Sequence, residues 1–100
     1  MGSKIFYVIG KGRDQQEAFQ NIVYSTNELY PEEYSGTIKE KETYIMIPCP
    51  KNVNAYVFAE DLIRRRDYRV DDKWGPAGCI DLGENEEGRR NYLFFGWASC

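Results

Sequence analysis

The stretch Tyr92-Leu93-Phe94-Phe95-Gly96-Trp97-Ala98 decides the fold, because it reads as a strand and is apolar at odd and even positions alike. Successive strand side chains point to opposite faces. A run without polar alternation must therefore be covered on both sides, by the rest of the chain or by a second subunit. Working outward, the polar segment from Gly83 to Asn91 is too hydrophilic to pack and reads as a mobile loop. Cys79-Ile80-Asp81-Leu82 before it reads as a strand. At the other end of the chain Lys4-Ile5-Phe6-Tyr7-Val8-Ile9, bounded by Gly10 and Gly12, reads as a strand apolar on both faces and is expected to be central.

Between these strands the period changes. Asp14 with Glu17 three residues on has the form of a capping box, and Ala18, Phe19, Ile22, Val23 and Leu29 or Tyr30 then fall near one helical face, with Pro31 as the stop. Gly10-Lys11-Gly12 completes neither the dinucleotide-binding nor the P-loop spacing and reads as a plain strand-to-helix connection. Thr37 to Lys41 and Thr43 to Ile47 read as two arms of a hairpin, and the charges from Lys39 to Glu42 as a solvated edge. Pro48 and Pro50 end that unit. Asn54 then caps a second helix that buries Phe58, Ala59, Leu62 and Ile63 and finishes in Arg64-Arg65-Arg66, cations suited to the negative end of a helix dipole.

The predicted order is βαββαββ. It implies an α+β two-layer sandwich, a mainly antiparallel five-stranded sheet with two helices on one face, close to a ferredoxin-like arrangement with an extra strand. The 100 residues suffice for one domain, residues 1–100, and not for a second core.

Composition narrows the function classes. A formal net charge of −3 argues against coating duplex nucleic acid, which needs a surplus of cations to displace counterions. No run is long and apolar enough to span a membrane, and no signal-peptide core follows Met1, so a cytoplasmic location is expected. Cys49, Cys79 and Cys100 are odd in number and far apart, hence reduced thiols rather than a disulfide framework. With no histidine and no Cys-x-x-Cys pair, neither a metal nor any other cofactor is expected. Absence of histidine also argues against acid–base catalysis at neutral pH, leaving a cysteine nucleophile, Cys49 or Cys79, as the enzymatic alternative. Asp71, Asp72 and Asp81 offer a glycosidase-like or magnesium-binding pair, but two adjacent aspartates in a strand point to opposite faces. The aromatic share, 15% with eight tyrosines, exceeds what one small core holds and points to a ligand pocket or a homo-oligomer interface.

The residues that combine into a binding site lie in Asp71-Asp72-Lys73-Trp74-Gly75-Pro76-Ala77-Gly78 and just before it. Trp74 offers a stacking face, and Gly75 and Gly78 allow close backbone approach and supply N–H donors. Arg64, Arg65, Arg66, Arg69 and Lys73 supply charge for a phosphate or carboxylate. This constellation suits an anionic small molecule. The competing reading buries Trp74 in the core and makes Gly75 to Gly78 a tight turn.

Tyr34-Ser35-Gly36-Thr37-Ile38-Lys39-Glu40-Lys41 and Asp71 to Gly78 together carry a resemblance. The chain resembles a set of small bacteriophage proteins that share an early amphipathic helix, a Tyr-x-Gly-Thr-Ile-x-Glu-Lys segment and a Lys-Trp-Gly-Pro-Ala-Gly turn. That resemblance implies a phage setting in the host cytoplasm. By analogy it implies a non-catalytic anti-defence protein, a homo-oligomeric sponge for a cyclic nucleotide or cyclic ADP-ribose derivative. The alternative is a module that inhibits a host protein directly, through its aromatic surplus and the acidic loop from Glu84 to Glu87.

Overall fold

The computed structural model describes residues 2–85 and 87–100, so Glu86 of the acidic loop lies outside the described residues. The strands are β1 (Ser3–Gly12), β2 (Tyr44–Met46), β3 (Ala77–Glu84) and β4 (Arg90–Ser99); the helices are α1 (Gln15–Leu29) and α2 (Ala55–Arg64). They form an α+β sandwich around one mixed sheet of order β1-β4-β3-β2. β4 runs antiparallel to both neighbours, and β2 lies parallel to β3.

β4 is the centre. Its even residues Tyr92, Phe94 and Ala98 join Phe6, Ala18, Phe19, Ile38 and Cys79 in one core, beneath α1. Its odd residues Leu93 and Phe95 join Ala59, Leu62, Ile63, Val70 and Ile80 in a second core, beneath α2. The helices therefore cover opposite faces. Each large side chain buried this way contributes about 1.5–3 kcal/mol of hydrophobic free energy.

Three expectations are corrected. The sheet has four strands, not five mainly antiparallel ones, because Thr37 to Lys41 is not a strand: Ile38–Glu40 forms a 3-10 turn, with Ile38 fully buried. With the hairpin gone, β2 pairs parallel to β3 through α2, and the two helices lie on different faces rather than one. Finally, β1 is an outer strand, not a central one.

The helix starts follow the sequence closely. Asp14 accepts the Glu17 N–H at 2.9 Å, and Asn54 accepts those of Tyr56 and Val57 at 2.9 and 3.2 Å, so both N-termini are capped. Glu17 turns back to the Arg13 N–H at 3.1 Å, one residue outside the reciprocal position of a capping box. Ala18 and Phe19 are buried and Ile22 and Val23 half-buried as the periodicity predicts, whereas Leu29 and Tyr30 are exposed. Gly10 lets α1 close on the sheet, since a Cβ there would lie 2.8 Å from the Phe94 ring and 2.9 Å from the Ala18 carbonyl. No helix among the described residues is long and apolar enough to cross a membrane.

Gly78 sits in β3 opposite Phe95, where a Cβ would stand 2.6 Å from the ring and 3.0 Å from Val70. Gly78→Ala should cost about 1–3 kcal/mol by overpacking, read as a lowered urea midpoint with the denaturant slope unchanged.

Candidate functional site

The segments from Tyr34 to Lys41 and from Asp71 to Gly78 meet in space. The Lys41 side chain, only 4% exposed, extends beneath the turn after Val70 and donates to the carbonyls of Asp72, Lys73 and Gly75 at 3.1, 3.1 and 2.9 Å. Three acceptors match the three N–H bonds of an ammonium. Burial pushes Lys41 down to about 8, with the Asp72 charge opposing that shift. Lys41 is thus no part of a solvated edge; it organises the turn. Asp72 accepts the Trp74 N–H at 2.9 Å, and Gly75 donates to the Asp72 carbonyl at 3.0 Å.

That turn presents Trp74 to solvent, 62% exposed, with the Tyr34 ring edge-on at 6.4 Å and the Lys73 ammonium 5.2 Å from the indole centroid. Tyr34 holds a left-handed backbone conformation, φ 56°, and its loop is fixed where Glu40 accepts both the N–H and the hydroxyl of Ser35. Trp74 does not plug the core.

Next to this platform lies an open groove of about 710 Å³. Its floor is apolar, with Ile5 and Tyr7 from β1, Trp97 from β4 and Ile63 from α2; its charged residues are Arg64, Arg66 and Lys73, with Glu60 and Asp71 opposing them. The Trp97 indole N–H is buried without an acceptor among the described residues. Arg66 is placed here by the end of α2. The Asp67 N–H reaches the Leu62 carbonyl at 3.0 Å and the Arg66 N–H reaches that of Ile63 at 3.1 Å, which closes a Schellman motif. The residue usually glycine in that motif is Arg66, at φ 58°. A side chain in that conformation costs roughly 1 kcal/mol, and it is held beside the groove.

Of the residues expected to bind, Arg64, Arg66 and Lys73 converge on the groove, and Trp74 stands beside it, linked through Lys73. The others are otherwise engaged. Arg65 and Arg64 share Asp61, at 2.8 and 2.6 Å, and Arg65 turns away from the groove. Arg69 grips Asp67 with two hydrogen bonds, 2.9 and 3.0 Å. The Gly75 N–H is spent within its own turn, and Gly78 is packed under Phe95, so neither offers a ligand the donor assigned to it. Sequence reasoning missed Tyr7 and Trp97, both assigned to strand interiors. For Tyr7 the signal was its spacing of two from Ile5, which puts both on one face of β1; Trp97 joins them only through its pairing with Ile5.

Of the two candidate nucleophiles, Cys49 is half-buried with its thiol 3.5 Å from the Val53 carbonyl. Cys79 is fully buried and its thiol is pushed up to about 12, chiefly by burial, so almost none is thiolate at neutral pH. Asp71 is held by Arg66, Asp81 by Arg90, and Asp72 faces its own turn. Comparison with protein-family models, curated proteins and solved structures finds no match.

Lys41→Met should destabilise the chain by about 2–4 kcal/mol, because three carbonyls lose a charged donor at once. Chemical denaturation measures the loss, and a shift in Trp74 emission under native conditions reports the loosened turn. A second outcome concerns acid. Hydrogen bonds from Arg69 hold the Asp67 carboxyl down at about 2, below its usual 3.8. A folded value below the unfolded one gives stabilisation that is complete above the unfolded value and fades as pH falls from about 4 toward 2. Arg69→Met should remove about 1–2 kcal/mol at pH 6 and nearly nothing at pH 2, a difference readable from paired urea curves.

Proposed function

We propose that this chain is a non-catalytic binding protein whose groove takes an anionic small molecule with a planar ring system, a nucleotide-derived signal. The observation that carries the reading is the groove itself. An apolar floor of Ile5, Tyr7, Ile63 and Trp97 shares its groove with the cations Arg64, Arg66 and Lys73. A base would lie on Tyr7 and Trp97, with its phosphates toward the cations. Those cations already have partners, Asp61 for Arg64 and Asp71 for Arg66, but the guanidiniums are largely exposed and such pairs are worth only about 0–1 kcal/mol. A phosphate offering bidentate acceptance can displace a carboxylate there. The volume lies within the roughly 300–1,000 Å³ common for small-molecule sites.

In the phage setting that the resemblance implies, the protein works in the host cytoplasm as an anti-defence sponge, holding a cyclic nucleotide or cyclic ADP-ribose derivative away from its receptor. Direct inhibition of a host protein is the second reading. Val53, Tyr56 and Val57, exposed at and near the start of α2, support it as apolar surface that a partner could cover, with the Tyr56 ring 6.5 Å from that of Tyr7.

Thermal shift against cyclic dinucleotides, cyclic trinucleotides and cyclic ADP-ribose isomers tests the first reading. A ligand at 100 times its Kd adds about 2.7 kcal/mol, which raises Tm by roughly 10–20 °C in a domain this small. Arg66→Gly is the diagnostic variant. Relief of the left-handed arginine should raise the ligand-free Tm by several degrees while the ligand-induced shift shrinks. No shift across the panel, or a shift that survives both Arg66→Gly and Lys73→Ala, excludes the groove as a nucleotide site.

A further inference from the structure

We propose that the outer edge of β1 pairs with the same edge of a second copy, antiparallel, on a two-fold axis beside Phe6. The inference goes beyond the ligand reading and does not rest on it. Gly2 and Cys100 exchange both backbone hydrogen bonds, at 3.3 and 3.2 Å. Bonded pairs in an antiparallel ladder recur at every second residue, and the register from Ser3↔Ser99 to Gly12↔Arg90 is unbroken. Lys4, Phe6, Val8 and Gly10 therefore bond to β4. The N–H and C=O groups of Ser3, Ile5, Tyr7, Ile9 and Lys11 point the other way, off the edge of the sheet. The Lys11 carbonyl is met by the Asn21 amide at 3.0 Å. The backbone groups of Ser3, Ile5, Tyr7 and Ile9 have no protein partner among the described residues.

The two edges of this sheet differ in kind. β2 is three residues long and is followed closely by Pro48, features that blunt an edge against pairing. β1 spans ten residues with no proline, no bulge and no charge between Lys4 and Lys11. An edge with these properties is a template for another strand.

A second copy of β1 is the strand that fits. Outward-pointing residues must oppose one another, so odd positions pair with odd. With Ser3 opposite Ile9 of the second copy and Ile5 opposite Tyr7, every unpaired group of these four residues is used in both copies, and Lys11 keeps its bond to Asn21. Shifting the register one way sets Ser3 against Lys11; shifting it the other way strands Ile9. Lys4 falls opposite Val8, so no like charges face each other. Ile5, 42% exposed on the α2 face, would pack on Tyr7 of the second copy as a cross-strand pair. The contact is isologous and the β2 edge is short, so assembly closes at two. Both grooves then open onto the same axis, and the two floors become continuous.

Amide hydrogen exchange on the unmodified protein decides the matter. The Ile5, Tyr7 and Ile9 amides should be protected on the order of 100-fold, like Phe6 and Val8 between them, and should lose that protection on dilution. Sedimentation should give twice the monomer mass. Ile5→Pro removes an N–H that no internal bond uses, so it should yield a folded monomer with an unchanged far-ultraviolet spectrum. A wild-type monomer whose odd amides exchange freely while the even ones are protected overturns self-pairing and leaves the edge to a foreign strand. A dimer that keeps its mass in Ile5→Pro overturns it as well.

Discussion

Everything in this molecule follows from having to bury both faces of β4. Tyr92 and Phe94 demand cover on one side and Leu93 and Phe95 on the other, and all four are essentially inaccessible to solvent. One layer of helices cannot meet that demand. A chain of 100 residues has two helices to spend, and it places one on each face.

The connections show how this is reached. β1 and β2 run in the same direction, joined by α1 across the full width of the sheet; β2 and β3 are parallel neighbours, joined by α2 in the return direction. Two crossovers that travel in opposite senses across a sheet have the same hand only if their helices lie on opposite faces. Parallel crossovers are right-handed almost without exception, so a reversal of direction carries the second helix to the other side. β4 then enters between β1 and β3 as the antiparallel strand that completes both cores.

The sequence made the two caps, the apolar runs and the doubly buried last strand legible, because each depends on neighbouring residues. What misled was Thr37 to Lys41, whose alternation of apolar and charged residues imitates a strand. Ile38 is buried by a 3-10 turn instead, and Lys41 is drawn inward by carbonyls 31 to 34 residues away, a partnership that no local pattern encodes. Once that segment is read as a strand, a hairpin follows, and with it both helices on one face. The site shows the same division. Three consecutive arginines advertise charge, but Asp61 engages two of them and Asp71 the third, so their directions are set by partners the run itself does not contain. The sequence leaves Trp74 open between surface and core, since glycine and proline beside an indole suit a tight turn in either place, and the structure exposes it. Trp97 was not legible, since a strand residue shows its face only after the register is known.

The groove is itself a consequence of topology. A crossover from β1 to β2 must pass over the whole sheet, and α1 accordingly shields β1 on its face, leaving Phe6 only 6% exposed. The return from β2 to β3 spans a single strand spacing, so α2 sits over β3 and β4, packing on Ile80, Leu93 and Phe95. On that face the strip of β1 bearing Ile5 and Tyr7 is left without a helix above it. The end of α2 forms the wall of the strip, which is why Arg64 and Arg66 border the apolar floor. The helix that lies over β3 and β4 thereby delivers its cationic terminus to the surface it leaves bare, and a left-handed arginine is tolerated where glycine would close the same turn at lower cost.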